Sequence, residues 1–339
     1  MIKIAVDAMG GDFGVNTTVN ASMMAVKKFK DIEIVLFGDK TKITPLLTNS
    51  ERISIVETHE VLDMGEHNPV RAIRTQKDSS MVKALMAGRN KEVDAVVSSG
   101  PTQCLIVGAH ICIRKLEQMS KVALCPIIPS FDGKGRLLLD VGANVELKPE
   151  SFVEFALAAS IVCKEVLHIE NPTVGLLNIG SEKGKGREVD NQAFELLEKT
   201  PGINFVGNIE PNTVLTSDCN VFVTDGFTGN MVLKTLEGTA KTMGKMLKQE
   251  IKSSVGGKLG YLFMRKNLKR FSKRLDSKEI GGAMILGVSS PVVKAHGSSD
   301  DYAFYNAIRQ AREMVLNNVV EKVKTSLEKI ENKEEKANE

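Results

Sequence analysis

Short runs of β-branched and apolar residues alternate along this chain with stretches whose apolar residues recur at helical spacing. Helices are predicted at residues 18–29, 151–166 and 191–199, between several of the runs. Such alternation is typical of proteins in which helices cover both faces of a parallel sheet. The predicted fold is therefore α/β, a doubly wound and largely parallel sheet. Its predicted strands are residues 2–6, 32–37, 53–56, 93–97, 122–128, 137–141, 174–179 and 221–224.

The composition narrows the classes of function. The 339 residues carry a net charge of +3 and no Trp, which gives no indication of a nucleic-acid-binding protein. No apolar run reaches the ~18 residues needed to span a bilayer. The five cysteines form no C-x-x-C pair, which argues against a disulfide framework or a zinc site. With no signal-peptide pattern in the first residues, we expect a cytoplasmic protein.

Small and polar residues follow many of the predicted strands. Glycine at such a position lets a backbone N–H approach an anion closely. In open α/β sheets, ligands bind outside the carboxyl ends of the strands. Any one of these segments is an ordinary connection, but six together favour a shared polar cleft. The segments begin at Asp7, Gly38, Ser98, Asp140, Asn178 and Asp225.

The glycine-rich segments do not match the common nucleotide motifs. Residues 10–14, GGDFG, lack the spacing G-x-G-x-x-G of a dinucleotide site. Residues 180–186, GSEKGKG, are one residue short of a Walker A motif and end in Gly where Ser or Thr would bind magnesium. NAD and ATP are therefore disfavoured, and neither a cofactor nor a metal is expected. Lys183 and Lys185 still make the second segment a candidate anion-binding loop.

Three further segments offer groups that bind oxyanions. Ser79 and Ser80 precede a helix predicted at residues 81–87, so free N–H groups and hydroxyls meet there. Ser298 and Ser299 precede a second predicted helix in the same way. Arg74 follows Arg71 by three residues, which places both on one side of a helical turn. Each feature is also common on protein surfaces, so none is decisive alone.

Eight strings of this sequence recur together in one known family. They are DAMGGD (7–12), P-x-x-A-I-R (69–74), KDSSM (77–81), LLDVGAN (138–144), VGLLNIG (174–180), VTDGFTGN (223–230), GGA-x-x-LGV (281–288) and AHGSSD (295–300). With these strings the chain resembles the bacterial PlsX phosphate acyltransferases (acyl-carrier-protein:phosphate acyltransferases). The resemblance runs in the same order from about residue 2 to about residue 323.

The resemblance implies an isocitrate-dehydrogenase-like or phosphotransacetylase-like α/β fold and a homodimer. It implies transfer of a long-chain acyl group from acyl carrier protein to inorganic phosphate. A membrane-bound acyltransferase then uses the acyl phosphate to acylate glycerol 3-phosphate. The candidate catalytic residues are Lys185, His296, Asp225 and Asn230. The candidate phosphate- or substrate-binding residues are Asp7, Gly10, Gly11, Arg74, Ser79, Ser80, Gly100, Thr102, Asn144, Gly180, Lys183, Gly229, Ser298 and Ser299.

The chemistry implied is undemanding, because phosphate is already an anion and a thiolate leaves readily. The protein has to position the two reactants and stabilise the developing oxyanion. Lys185 is the first candidate for that task, and His296 donates either a proton or only a hydrogen bond. A competing hypothesis makes Cys104 a thiol nucleophile, although no base lies near it in sequence.

One segment departs from the family pattern. Where the family usually reads S-A-G-N-T-G-A, residues 98–104 read SSGPTQC. Pro101 removes a backbone donor, and Gln103 fills space that a glycine leaves open. Altered substrate choice and weakened activity are both left open by this change.

A basic segment interrupts the α/β rhythm at residues 252–278. Apolar residues at 3-4-3-4 spacing lie on one side of a predicted helix over residues 258–275, and cations cover the rest. The pattern indicates contact with an anionic membrane surface or with acidic acyl carrier protein. Packing against a partner helix or a second subunit is the alternative. The candidate contact residues are Tyr261, Met264, Arg265, Leu268, Lys269 and Phe271.

The chain is predicted to form one catalytic unit over residues 1–330, with the helical insertion at 252–278 and a disordered tail at 331–339. Peripheral membrane association is expected for the cytoplasmic enzyme. Two other functions stay open, a phosphotransacetylase that uses short acyl-CoA and a membrane-associated binding protein that has lost turnover.

Overall fold

The fold is an α/β sandwich around a single large sheet. The computed structural model describes residues 1–275, 277–279 and 281–338, and only the backbone of residues 273–275, 277 and 331–338. The strands are β1 (Ile2–Asp7), β2 (Ile32–Gly38), β3 (Ile53–Glu57), β4 (Ala95–Ser98), β5 (Ala123–Ile128), β6 (Arg136–Leu139), β7 (Thr173–Leu177), β8 (Asn204–Ile209), β9 (Val221–Val223), β10 (Ala283–Leu286) and β11 (Val292–Lys294). The helices are α1 (Gly14–Lys28), α2 (Lys40–Ile43), α3 (Pro69–Thr75), α4 (Ser80–Arg89), α5 (Thr102–Gly108), α6 (Pro149–Leu167), α7 (Glu188–Lys199), α8 (Gly226–Ser253), α9 (Val255–Leu275), α10 (Asp301–Leu316) and α11 (Val319–Asn338).

The strands pair in the order β3-β2-β1-β4-β11-β10-β5-β6-β9-β7-β8. All pairings are parallel except those of β10 with β11 and β5, and that of β5 with β6. The prediction of a largely parallel α/β sheet is therefore confirmed. Each of the eight predicted strands coincides with an observed strand to within a few residues.

The antiparallel pairings reverse the direction of half the sheet. Strands β1, β2, β4 and β11 end at one edge, whereas β6, β7 and β9 end at the opposite edge. The six strand-end segments that suggest a shared cleft therefore divide between the two edges, three at each. The reversal arises at the antiparallel pairing of the consecutive strands β5 and β6, because β10 is antiparallel to both of its neighbours and leaves β5 parallel to β11.

Helices cover both faces of the sheet and bury a core on each. Along β1, Ile4 and Val6 point to the face covered by α1, α6 and α10, while Ala5 points to the face covered by α3, α4 and α5. This alternation follows from the period of two along a strand. Burial on both faces also explains why the strands read as continuous apolar runs.

A long helical hairpin leaves the body between β9 and β10. It consists of α8 and α9, so the basic segment that the sequence places at 252–278 begins inside α8. No helix of the described residues is long and apolar enough to cross a membrane. The disordered tail predicted for 331–339 stays a prediction, since α11 continues through Asn338, whereas the side chains from residue 331 and all of Glu339 lie outside the described residues.

Candidate active site

A large cleft of about 1960 Å³ separates the face of β5 from the α8–α9 hairpin. Its floor includes Leu124, Pro126 and Ile128 of β5, which alternate along the strand. Because the cleft crosses the sheet at β5, it joins loops from both edges, including residues that follow β1, β4, β6, β9 and β11. The polar residues of its lining include Asp12, Thr102, Gln103, Asn230, Lys234, Glu237, Lys294, His296, Ser298 and Ser299, and cations of α8 and α9 line it further along the hairpin.

Two close contacts hold the loops after β1 and β4 together. The buried carboxylate of Asp7 accepts hydrogen bonds from the hydroxyls of Ser80 and Ser98, each at 2.6 Å. A Cβ at Gly10 would lie 2.7 Å from the backbone nitrogen of Gly100, closer than side-chain carbons approach. Only glycines allow this contact, so the predicted residues Asp7, Gly10, Ser80 and Gly100 form one buried cluster. Burial raises the pKa of Asp7 despite its hydrogen bonds.

The turn after β11 meets the same cluster. Asp12 donates its backbone N–H to the carbonyl of Gly297 at 2.8 Å. Nδ1 of His296 accepts the N–H of Ser298 at 3.1 Å, which corresponds to a neutral imidazole with its proton on Nε2. Burial lowers the pKa of His296, and the nearby cation Lys294 lowers it further. His296 is therefore a neutral donor at the cleft near neutral pH.

Gly11 belongs to the same junction. It has φ +91°, and a Cβ there would lie 2.6 Å from Oγ of Ser99. Ser79 lies one residue outside the cluster and donates its hydroxyl to the carbonyl of Gln76 at 2.8 Å. Ser299 is buried at the start of the turn that precedes α10.

The loop after β6 is organised by the buried carboxylate of Asp140. It accepts hydrogen bonds from the backbone N–H groups of Leu124, Gly142, Ala143 and Asn144 at 2.7–3.2 Å. The side chain of Asn144 donates to Asp140 at 2.9 Å and to the carbonyl of Val122 at 2.7 Å, so it stabilises the loop and is absent from the cleft lining.

The first turn of α8 packs directly on this loop. A Cβ at Gly229 would overlap the carbonyl oxygen of Asp140, so only glycine fits there. The neighbouring residue Asn230 reaches the cleft. Asp225 caps α8 by accepting the N–H of Thr228 at 2.8 Å, and it forms an ion pair with Arg187. The predicted catalytic residue Asp225 thus holds α8 in place, while Asn230 lines the cleft.

The glycine-rich loop after β7 lies outside the cleft lining. Lys185 is exposed, and its methylene groups lie against Gly180. Lys183 forms an ion pair with Glu198 at 2.7 Å and lies over the ring of Phe194. Arg74 is exposed on α3 and is also absent from the lining. The structure therefore does not bring Lys183, Lys185 or Arg74 together with His296.

The segment that departs from the family pattern borders the cleft. Pro101 precedes α5 as its N-cap residue, and Thr102 and Gln103 line the cleft. Nε2 of Gln103 donates to the carbonyl of Gly142 at 3.4 Å, which joins the loops after β4 and β6. Cys104 is buried, and burial raises the pKa of its thiol to about 11. A thiol that stays protonated at neutral pH is a poor nucleophile.

Lys294 is a cleft residue that the sequence reasoning missed. It is the last residue of β11, and only 7% of it is exposed. A signal was present, because a lysine that ends an apolar strand directly before the AHGSSD string is unlike a solvated surface cation. Among the described residues, no group of three or more His, Cys, Asp and Glu side chains has the arrangement of a metal site.

The apolar side of α9 is divided between the cleft and the surface. Tyr261, Leu268 and Phe271 line the cleft opposite Leu236, Met243 and Leu247 of α8, with Arg265 and Lys269 also in the lining. Met264 is absent from the lining and half exposed. Among the described side chains of the hairpin, the most exposed apolar one is Phe263, at 88%, which the sequence stripe did not include.

Comparisons with known proteins show which proteins this chain is similar to. A family described as fatty acid synthesis protein matches residues 2–322. A phosphate acyltransferase of Acholeplasma laidlawii is 48% identical over 329 residues, covering 96% of this chain and 98% of that protein. A phosphate acyltransferase of Staphylococcus aureus is 45% identical over 327 residues, covering 96% and 98%.

Two solved structures share the fold at low identity. One is a phosphotransacetylase from Streptococcus pyogenes, with a TM-score of 0.62 and 15% identity over 93% of this chain and 94% of that chain. The other is a branched-chain phosphotransacylase from Enterococcus faecalis, with a TM-score of 0.61 and 13% identity over 93% and 99%. The phosphotransacetylase-like fold expected from the sequence is therefore confirmed.

Proposed function

Since the chain belongs to the family of fatty acid synthesis proteins, whose members include phosphate acyltransferases, we propose that it transfers a long-chain acyl group from acyl carrier protein to inorganic phosphate. The observation that carries this proposal is the division of the cleft. Hydroxyl, amide and imidazole groups lie where α8 begins, and leucine and aromatic side chains line the cleft further along α8 and α9, together with cations such as Lys241, Lys248 and Arg265. A thioester with a long apolar chain needs both environments.

The reaction proceeds by attack of a phosphate oxygen on the thioester carbonyl. A C–O bond forms, the C–S bond breaks, and the thiolate of acyl carrier protein leaves and takes up a proton. The nucleophile is an anion already, so the protein accelerates the step by positioning and by stabilising the oxyanion. His296, Asn230 and Thr102 line the cleft within one polar region and supply donors for that purpose. The predicted role of Lys185 stays a prediction.

The apolar part of the cleft suits the acyl chain. Leu233, Leu236 and Leu247 of α8 and Tyr261 and Phe271 of α9 line it. Each methylene group that leaves water for such a lining contributes about 0.8 kcal/mol. A cleft built for an acetyl group would gain nothing from a lining of this length, and this favours a long-chain donor over short acyl-CoA.

The assay that tests the proposal measures release of free acyl carrier protein from palmitoyl-acyl-carrier-protein as a function of phosphate concentration. We expect saturable, phosphate-dependent release, and much slower turnover of acetyl-CoA under the same conditions. Faster turnover of acetyl-CoA would replace the proposal by a phosphotransacetylase. Absence of turnover on both donors would support a binding protein that has lost activity.

The α8–α9 hairpin is proposed to contact an anionic membrane surface from the cytoplasm, where a membrane-bound glycerol 3-phosphate acyltransferase takes the product. Leu259, Leu262 and Phe263 are exposed on α9 beside cations such as Lys266. Cations contribute about 1 kcal/mol each near such a surface. The alternative occupant of this apolar face is the second subunit of a homodimer.

Vesicle sedimentation and size-exclusion chromatography separate the two. The double variant Leu262→Ser with Phe263→Ser should lose binding to phosphatidylglycerol vesicles at low salt and keep the elution volume of the wild type. A variant with Val206→Ser, an exposed apolar residue on β8 away from the hairpin, is the matched control. If the double variant instead falls to monomers and the wild type never binds vesicles, the face belongs to the dimer.

A further inference from the structure

Lys294 occupies an unusual position for a lysine. It ends β11, between β4 and β10, where Ser98 and Ala283 are its neighbours across the sheet. Only 7% of it is exposed, and it lines the polar end of the cleft. Lysine is seldom buried unless a counter-charge holds it, so its partners decide what it does.

The hydrogen bonds of Lys294 supply no counter-charge. Nζ donates to the backbone carbonyl of Ser99 at 3.4 Å and to that of Ala295. Among the ion pairs of the described residues, none includes Lys294. The nearby carboxylate of Asp7 has both oxygens engaged by serine hydroxyls. The buried ammonium group therefore faces the cleft region with its charge uncompensated by direct contact.

We propose that Lys294 binds the phosphate nucleophile, at the junction of the loops after β1, β4 and β11. The proposal rests on the proposed function and names the cation of its phosphate site. Gly11, Ser99 and Gly297 lie close together at this junction. An anion bound there is surrounded by the three loops and lies beside Lys294. A bound phosphate dianion supplies the negative charge that the ion pairs of the described residues do not give Lys294.

The pKa of Lys294 also depends on the charged groups around it. Asp7 of β1 and Asp12 of the following loop raise its pKa, while Lys234 of α8 lowers it. Glu237 of α8 and the neutral His296 lie in the same region. Burial is the largest effect and brings the pKa of Lys294 down to about 8.

This pKa gives phosphate binding a defined dependence on pH. Below pH 8 the unliganded protein carries a protonated Lys294, and an anion binds without proton exchange. Above pH 8 the lysine is neutral in the free protein, and a bound dianion raises its pKa, so binding takes up a proton. Affinity for a dianion is therefore level below pH 8 and falls as the pH rises above it.

Titration calorimetry in buffers of different ionisation enthalpy measures that proton. Sulfate is the first probe, because it stays a dianion throughout and any proton taken up belongs to the protein. Because burial lowers the pKa of Lys294 to about 8, we expect proton uptake at pH 8.5 and much less at pH 6.5. Inorganic phosphate at pH 8.5 should behave in the same way.

The variant Lys294→Met should bind sulfate and phosphate about 10- to 100-fold more weakly and without proton uptake. Lys115→Met is the matched control, since Nζ of Lys115 also donates to a backbone carbonyl, that of Met119 at 2.7 Å, and Lys115 is absent from the cleft lining. It should keep the wild-type affinity and the wild-type proton uptake.

The proposal is overturned if the wild type binds neither anion. This result depends on the wild type alone and holds even where Lys294→Met does not fold. Unchanged phosphate affinity in a folded Lys294→Met protein overturns it as well. The proposed function fails separately, when wild-type enzyme releases no acyl carrier protein in response to phosphate.

Discussion

The contact between α8 and the loop after β6 predicts that replacing glycine by alanine has opposite effects on stability at Gly229 and at Gly238, two positions of α8. Gly229→Ala places a methyl group on the carbonyl oxygen of Asp140 and 2.9 Å from Cγ2 of Thr224. Overpacking of this kind costs about 1–3 kcal/mol and more where backbone has to move. Asp140 is fixed by its hydrogen bonds to the loop, so we expect a loss of about 2 kcal/mol or more in the free energy of unfolding.

Gly238→Ala is the matched control. A Cβ at Gly238 meets nothing within 4 Å, and replacing glycine by alanine within a helix stabilises it by up to about 1 kcal/mol. Urea-induced unfolding followed by circular dichroism measures both variants, with midpoints compared at equal slope. The reasoning is refuted if Gly229→Ala unfolds at or above the wild-type midpoint. The same variant should also lose turnover, because Asn230 is displaced with Gly229.

Three further predictions concern the chemistry. Lys185→Ala should lower turnover by at least ~10²-fold if Lys185 stabilises the oxyanion; turnover near that of the wild type, measured on a folded protein, would remove Lys185 from the mechanism. Acyl transfer should continue in EDTA and without NAD or ATP, and a strict requirement for any of them in the release assay would contradict the proposed reaction. Because burial lowers the pKa of His296 below its ordinary 6.5, the imidazole signal of His296 in NMR should titrate with a midpoint below 6.5. The signal is assigned by its absence from the spectrum of His296→Gln. The unfolded chain binds this proton more readily, so the free energy of unfolding should fall as the pH is lowered through 6.5. An NMR titration midpoint of His296 above 6.5 would contradict the burial argument.

Much of the fold could be predicted because most strands carry their own signal. The eight predicted strands read as apolar or β-branched runs, and all except the edge strand β3 are largely buried. Of the three that were missed, β8, NFVGNI, is polar and half exposed, and β10 and β11 are buried but only four and three residues long. The positions of β10 and β11 depend on pairing with β5 and β4, which are distant in sequence, whereas the reversal of half the sheet comes from the pairing of the consecutive strands β5 and β6.

The candidate site residues could be predicted where a local sequence motif lies at the end of a strand and the neighbouring strands end at the same edge of the sheet. Asp7, Gly100 and His296 lie near one another because each follows a strand that ends at the same edge. Lys294 was missed because its burial comes from β4 and β10, which no local pattern indicates. Lys183 shows the opposite case: its local motif suggests an anion-binding site, but it lies outside the cleft lining and forms an ion pair with Glu198 of α7.

The 28-residue helix α8 also provides a path along which a product formed in the cleft can leave. At 1.5 Å per residue this helix runs for about 42 Å from the polar loops to the tip of the hairpin. An amphiphile formed at its first turns can slide lengthwise with its tail against leucine and methionine side chains, and bulk water never has to receive that tail. For each methylene group this avoids a transfer that costs about 0.8 kcal/mol. For the proposed acyl phosphate, departure along this helix then depends less on the solubility of a fatty chain in water.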